Sequence, residues 1–297
     1  LQCVFASEWD KYAQITYEAN HCLTPVGDIH EINERDIPDY DILCGGFPCQ
    51  PFSIAGVSSK NHLGRKHGFE DKSQGDLFFE IVRLLKETEP KLLLLENVKN
   101  IRYHDKGRTF NTIIDYLKNA GYHIFHNIVD AQYYVPQHRE RVFFVGFHKK
   151  YFPEVEFIFP ETPKQRLYEL VDILEESPDP KHTLSDKLWT YLQERKLKQQ
   201  AKGNGFGFGL IDPQKDKVTR TMSARYYKDG SEILIKQESK NPRRLTPKEC
   251  ALLQGFPQNF VIPVSNTQAY KQFGNAVCVP VVSSIIKEMC NTVKTVN

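Results

Sequence analysis

The chain has 297 residues, 40% of them hydrophobic and 26% charged, with a net charge of +2. That balance excludes wholesale disorder, and the length allows a sizeable core divided between two domains. No apolar run reaches the about 20 residues of a bilayer span and no signal peptide opens the sequence, which predicts a cytoplasmic protein without membrane attachment. Seven cysteines, an odd number without CxxC spacing, point to free thiols in a reducing compartment and not to a disulfide frame or a metal cluster.

The first half alternates strand-like and helix-like segments, the pattern of a mostly parallel sheet with helices on its faces. Residues 2–6 read as a strand, 9–20 as a helix and 41–44 as a second strand. An amphipathic helix follows at 77–87, then a fully apolar strand at 91–95, a helix at 110–120, and strands at 123–129 and 141–147. From Pro160 the texture changes. The chain reads as helical and charged to about Leu197, then as a glycine-spaced run at 203–209 and short β pieces at 218–223 and 232–236. A helix at 246–253 and a closing helix at 279–289 are expected to return the chain to its first part. The predicted division is residues 1–160 with 264–297 in one domain and 161–263 in a smaller, irregular and β domain.

Chemistry concentrates at strand ends, where open α/β sheets place it. Cys49 follows an apolar strand and two glycines, in Phe47-Pro48-Cys49-Gln50. A thiol so presented is either a nucleophile or an inert strand-end cysteine. Glu96 directly follows the apolar strand. Desolvation there raises a carboxyl pKa and suits it to holding a proton, although a carboxylate capping the next turn would look the same. Arg139 and Arg141, in Gln137-His138-Arg139-Glu140-Arg141, share one side of a strand start and can hold a carbonyl and orient a carboxylate; a solvated Arg/Glu ladder is the plainer alternative.

A ligand side is visible as well. Glu8-Trp9 ends the first strand, where an acid can bind a ribose hydroxyl pair and an indole can stack on a base. Asp28, in Gly27-Asp28-Ile29, suits an amino group, and the turn around Asn275 and Val277 opens a helix with its amides near a ligand. Residues 186–249 carry 15 Lys/Arg against 8 Asp/Glu. That local surplus fits either a polyanion-binding face or a solvated surface.

Taken in order, these segments resemble the C5-cytosine DNA methyltransferase family over nearly the whole chain. Phe47 to Gln50 is similar to its nucleophile motif, Glu96-Asn97-Val98 to its acid motif and Gln137 to Arg141 to its paired-arginine motif. Arg244-Leu245-Thr246-Pro247 with Gln254-Gly255-Phe256-Pro257 resembles the motif after the recognition region, and Gln272 to Val277 the last motif of the donor pocket. The resemblance implies a Rossmann-like methyltransferase fold using S-adenosylmethionine and no metal. Its partner would be double-stranded DNA, and a cognate restriction endonuclease need not touch it. A monomer in a bacterial cytoplasm is implied.

By the same resemblance, Cys49 would attack C6 of a cytosine flipped from the duplex, Glu96 would bind or protonate N3, and Arg141 would hold O2 with Arg139 in support. Glu8, Trp9, Asp28, Ile29, Pro48, Leu77, Asn275 and Val277 would line the donor. Gln50, Ser53, Thr221, Ser223, Arg225, Tyr226, Arg243 and Arg244 would meet DNA, with Arg225 the first choice for a guanine contact in CC(A/T)GG or CCGG. The family's opening strand and its glycine-rich turn, Phe-x-Gly-x-Gly-Gly, are not in this sequence. The expectation is a truncated chain or one piece of a split enzyme, with weakened donor binding by these residues alone. Two other readings remain at this point: methylation of tRNA by the same chemistry, and an inactive DNA-binding protein. A thiol hydrolase or amidotransferase would need a histidine partner for Cys49, with His138 as the candidate.

Overall fold

A computed structural model describes residues 1–48, 77–203 and 207–296. In chain order the main elements are α1 (Lys11–His21), β1 (Ile42–Gly46), α2 (Leu77–Thr88), β2 (Leu92–Val98), α3 (Arg108–Asn119), β3 (Tyr122–Asp130) and β4 (Glu140–His148). They continue as α4 (Asp186–Ala201), β5 (Leu210–Ile211), β6 (Leu234–Gln237), β7 (Lys240–Arg244), α5 (Pro247–Leu253), α6 (Asn266–Asn275) and α7 (Val279–Val296). Local chemistry sets the ends. The Asp10 carboxylate accepts from the backbone N–H groups of Tyr12 and Ala13 at the start of α1, and Cys22 closes that helix in the left-handed region at φ 52°.

The first sheet has the order β1-β2-β4-β3. β1 pairs with β2 in parallel, and β4 is antiparallel to both of its neighbours. Three strands therefore share one direction, as expected, and β4 alone is reversed. Its reversal follows from the short connection after β3, because residues 131–139 are too few for the crossover that a parallel return requires. Residues 2–6, expected as a strand, form no ladder. Next to them is a single parallel bridge from Ser7 to Val26.

Both faces of this sheet are covered, which is why Leu92 to Leu95 is apolar without alternation. Leu93, Leu95, Val142 and Phe144 pack under Phe78, Ile81 and Leu85 of α2 and Phe110, Ile113 and Leu117 of α3. On the other face Leu92, Leu94, Phe143, Val145 and Phe147 meet Val281, Ile285 and Met289 of α7. By length and composition alone the stretch Asn266–Val296 is apolar enough to cross a membrane; here its α7 part packs against the sheet.

The second sheet, ordered β5-β6-β7, sits over a third core of Leu170, Met222, Tyr226, Ile235, Leu245 and Leu253 among others. α5 joins this core through Cys250, Ala251 and Leu253, and the carbonyls of Leu253 and Gln254 at its end accept from Gln137 and Val279. α6 joins it too, through Ala269, Tyr270 and Phe273. The stretch expected to be helical from Pro160 is α-helical only from Asp186, since Pro160, Pro163, Pro178 and Pro180 interrupt it. The expected strand at 218–223 makes one bridge, Thr219 to Gln137.

Candidate active site

The ends of β1 and β2 and the start of the reversed β4 meet at one edge of the first sheet. Glu96 lies opposite Gly46 of β1 and Phe143 of β4. Arg141 is two residues from Phe143, on the same face, so acid and cation form a diagonal cross-strand pair. Arg141 Nε stands 2.8 Å from Glu96 Oε1, with the two side chains 17% and 16% exposed. Burial pushes the Glu96 carboxyl above its ordinary pKa, and the charges of Arg141 and Arg139 offset this only in part. Burial pulls Arg141 down, opposed by Glu96. The result is a carboxyl disposed to keep a proton beside a fixed guanidinium.

Asn97 points to the opposite face. Its buried side chain donates to the carbonyl of Phe47 at 2.9 Å and accepts from the N–H of Val98 at 2.8 Å. The acid strand thereby anchors the end of the cysteine strand at buried Phe47 and half-buried Pro48. Cys49, Gln50 and Ser53 lie outside the described residues, as does the rest of 49–76.

Arg139 and Arg141, alike by strand parity, have different partners. Arg139 is 2% exposed. It donates to the carbonyls of Met222 at 3.0 Å, Gly274 at 3.2 Å and Ala276 at 2.7 Å. Around it Gln137 bridges Leu253 and Met222, and His138 holds Thr219 through its N–H. The His138 ring lies 2.6 Å from the Asp130 carboxylate, and Lys99 pairs with Glu140 at 2.7 Å.

On the donor side, the Ser7–Val26 bridge sets Glu8-Trp9 beside Gly27-Asp28-Ile29. Glu8 accepts from the N–H of Asp10 at 2.9 Å, Asp28 accepts from that of His30 at 3.1 Å, and the Trp9 ring is 77% exposed. Arg83 of α2 donates to the carbonyls of Ile29 and Ile32 and pairs with Glu34 at 2.7 Å. It staples the Asp28–Ile29 turn to the helix that Leu77 opens. Asn275 is exposed and Val277 half-buried, in the turn gripped by Arg139. These residues fit a nucleoside-bearing donor in kind: two carboxylates on one bridge beside an open aromatic ring.

The expected DNA contacts divide. Arg225 is exposed, Arg244 half-buried over the Tyr270 ring, and Thr221 donates to the carbonyl of His138 at 2.6 Å. Ser223 donates to Glu232 at 2.6 Å. Two assignments are corrected. Tyr226 is fully buried, donating to the Ile233 carbonyl and accepting from the N–H of Leu245, and so cannot reach a duplex. Arg243 is buried in a bidentate pair with Glu249 at 2.7 and 2.8 Å. Asn97, Gln137 and Gly274 had no role assigned from sequence, although each stands inside a motif already singled out.

The sequence profile described as C-5 cytosine-specific DNA methylase matches residues 1–291. The chain is 53% identical to type II methyltransferase M.SsoII of Shigella sonnei, over 98% of this chain and 75% of that protein. It is 51% identical to type II methyltransferase M.NlaX of Neisseria lactamica, over 97% and 88%. The fold is similar to the crystal structure of S. pombe Dnmt2 methyltransferase, with a TM-score of 0.73 at 19% identity, covering 98% of this chain and 91% of that one.

Proposed function

The chain belongs to the C-5 cytosine-specific DNA methylase family, and from that premise we propose how its residues methylate cytosine. The substrate is a cytosine extruded from duplex DNA, since the ring is out of reach inside the stack. The observation that carries the reading is the buried Glu96–Arg141 pair at the sheet edge where the strand leading to Cys49 also ends.

Arg141 holds O2 of the extruded ring, and Glu96 places its proton on N3. Both withdraw electron density from C6. The Cys49 thiolate then bonds to C6, and the electron pair released into the ring makes C5 nucleophilic. S-adenosylmethionine, when bound, would supply an electrophilic methyl group to C5, its S–CH3 bond breaking to leave S-adenosylhomocysteine. Loss of the C5 proton to water, expulsion of the Cys49 thiolate and return of the N3 proton to Glu96 restore the aromatic ring, now methylated. Asn97 positions the thiol through Phe47. Glu8 and Asp28 receive the donor's hydroxyl and amino groups, Trp9 stacks on its base, and Ile29, Leu77, Asn275 and Val277 complete the wall.

Residues 1–160 with 264–297 serve as the catalytic unit and 161–263 as the recognition unit. Its surplus of Lys/Arg supports a duplex-binding face, with Thr221, Ser223, Arg225 and Arg244 on it. Tyr226 and Arg243 support this face from beneath. The chain is proposed to be the modification enzyme of a type II restriction–modification system in a bacterial cytoplasm, acting as a monomer on CC(A/T)GG or CCGG.

Transfer of labelled methyl groups, measured in parallel on duplex DNA and tRNA, tests the substrate; labelling of tRNA alone would overturn the reading. A duplex containing 5-fluorocytosine should be captured covalently by the wild-type protein and not by Cys49→Ser. Bisulfite sequencing of the methylated DNA then gives the site and the modified cytosine.

A further inference from the structure

We propose that Arg139 is a positioning residue that couples DNA binding at the recognition segment to donor binding at the Asn275 turn. The inference rests on the function proposed above and adds a regulatory link between its two substrates.

The guanidinium spans two chain segments that share no strand. One nitrogen donates to Met222, next to Thr221 and Ser223 on the DNA side. Another donates to Gly274 and Ala276, whose carbonyls bracket Asn275 on the donor side. The same two segments also touch directly. A Cβ on Gly274 would fall 2.3 Å from the Ser223 carbonyl oxygen and 2.5 Å from the Ala224 nitrogen, so glycine alone permits this approach. Met222 is further held by Gln137, and Thr219 and Thr221 by the backbone beside His138. A displacement of the recognition segment is therefore passed to the donor turn through one rigid planar fork.

Linkage makes the effect reciprocal: a ligand that fixes one arm must tighten binding at the other by the same factor. The test measures affinity of the intact protein for a CC(A/T)GG duplex, and for a CCGG duplex, with and without S-adenosylhomocysteine. Its counterpart measures S-adenosylhomocysteine affinity with and without duplex. In the wild type the factor should lie in the range of about 5 to 150 and be equal in both directions.

Arg139→Lys keeps the charge, but a point-like ammonium cannot grip three carbonyls at once. Gly274→Ala forces the two segments apart without touching a charge. In both variants the factor should fall toward one, with each ligand still binding alone; a role confined to folding would lower the melting temperature and leave the factor intact. If Gly274→Ala does not fold, Arg139→Lys decides. An unchanged factor in the folded variants, or a factor of one in the wild type, overturns the inference. Wild-type protein that transfers no methyl group to duplex overturns the proposed function along with it, whereas transfer with an unchanged factor overturns the coupling alone.

Discussion

Arg141 Nε and Glu96 Oε1 are 2.8 Å apart on adjacent antiparallel strands, both largely out of solvent. Burial opposes charge on each, and each favours charge on the other. Glu96 therefore holds a proton more readily than a solvent-exposed carboxyl does, which suits a proton donor.

Glu96→Gln should lower kcat by about 10²- to 10⁴-fold, the usual range for a lost general acid, while duplex binding persists. The stability effect has a definite sign. Below the ordinary carboxylate pKa of about 4.3 the group is protonated in folded and unfolded chains alike. Because burial raises the folded value, the unfolded chain ionises first as pH rises, and wild-type stability relative to the Gln variant falls until Glu96 itself ionises. Melting curves of both proteins, taken upward from the ordinary carboxylate pKa of about 4.3, check this; a growing wild-type advantage with pH would contradict it.

Arg141→Ala leaves a buried carboxyl without its cation. Breaking such a pair from one side costs about 3–5 kcal/mol, and the Glu96 pKa should rise further. The double variant Arg141→Ala with Glu96→Gln should be more stable than Arg141→Ala alone, since no buried charge is then left unpaired. Denaturant midpoints of the wild type, both single variants and the double variant measure the difference.

Asn97→Ala removes the hydrogen bond to the Phe47 carbonyl. A buried acceptor left unsatisfied costs about 1–3 kcal/mol. The sharper expectation is kinetic: covalent capture of a 5-fluorocytosine duplex should slow more than duplex binding weakens. Equal loss in both would mean that Asn97 supports the fold and not the thiol.

Arg225 and Arg243 should part company. Arg225→Ala, at an exposed position, is expected to weaken duplex binding by about 1–3 kcal/mol if it reads a guanine. Arg243→Ala breaks the pair with Glu249 and should lower the unfolding midpoint while leaving the salt dependence of DNA binding unchanged. Binding measured across a salt series, beside melting curves, separates the two.

The first sheet was legible because its strands are apolar runs bounded by glycine, proline and charge, and the acid and paired arginines announced themselves at strand ends. The reversal of β4 was not anticipated, although the shortness of residues 131–139 is the signal that carries it. Strand parity placed Arg139 and Arg141 together, but partners 83 residues or more away decided their different tasks, and one-dimensional periodicity carries no such information. Tyr226 and Arg243 misled for a related reason. Tyrosine and arginine suit a DNA surface by composition, whereas here a core and the buried carboxylate of Glu249 claimed them. Residues 2–6 have strand composition, yet a strand exists only against a partner.

The reversed β4 also bears on the order of folding. β3 and β4 are consecutive and pair through a short connection, so their ladder closes at small cost in chain entropy. Asn97 and Phe47, in contrast, meet across 50 residues. Local pairings form before distant ones. The hairpin that carries Arg141 should therefore be in place early, whereas β2 joins it, and β1 joins β2, only through pairings between distant parts of the chain. The acid on β2 is thus brought to its cation, and the end of β1 at Phe47 to Asn97, in the later and slower part of folding.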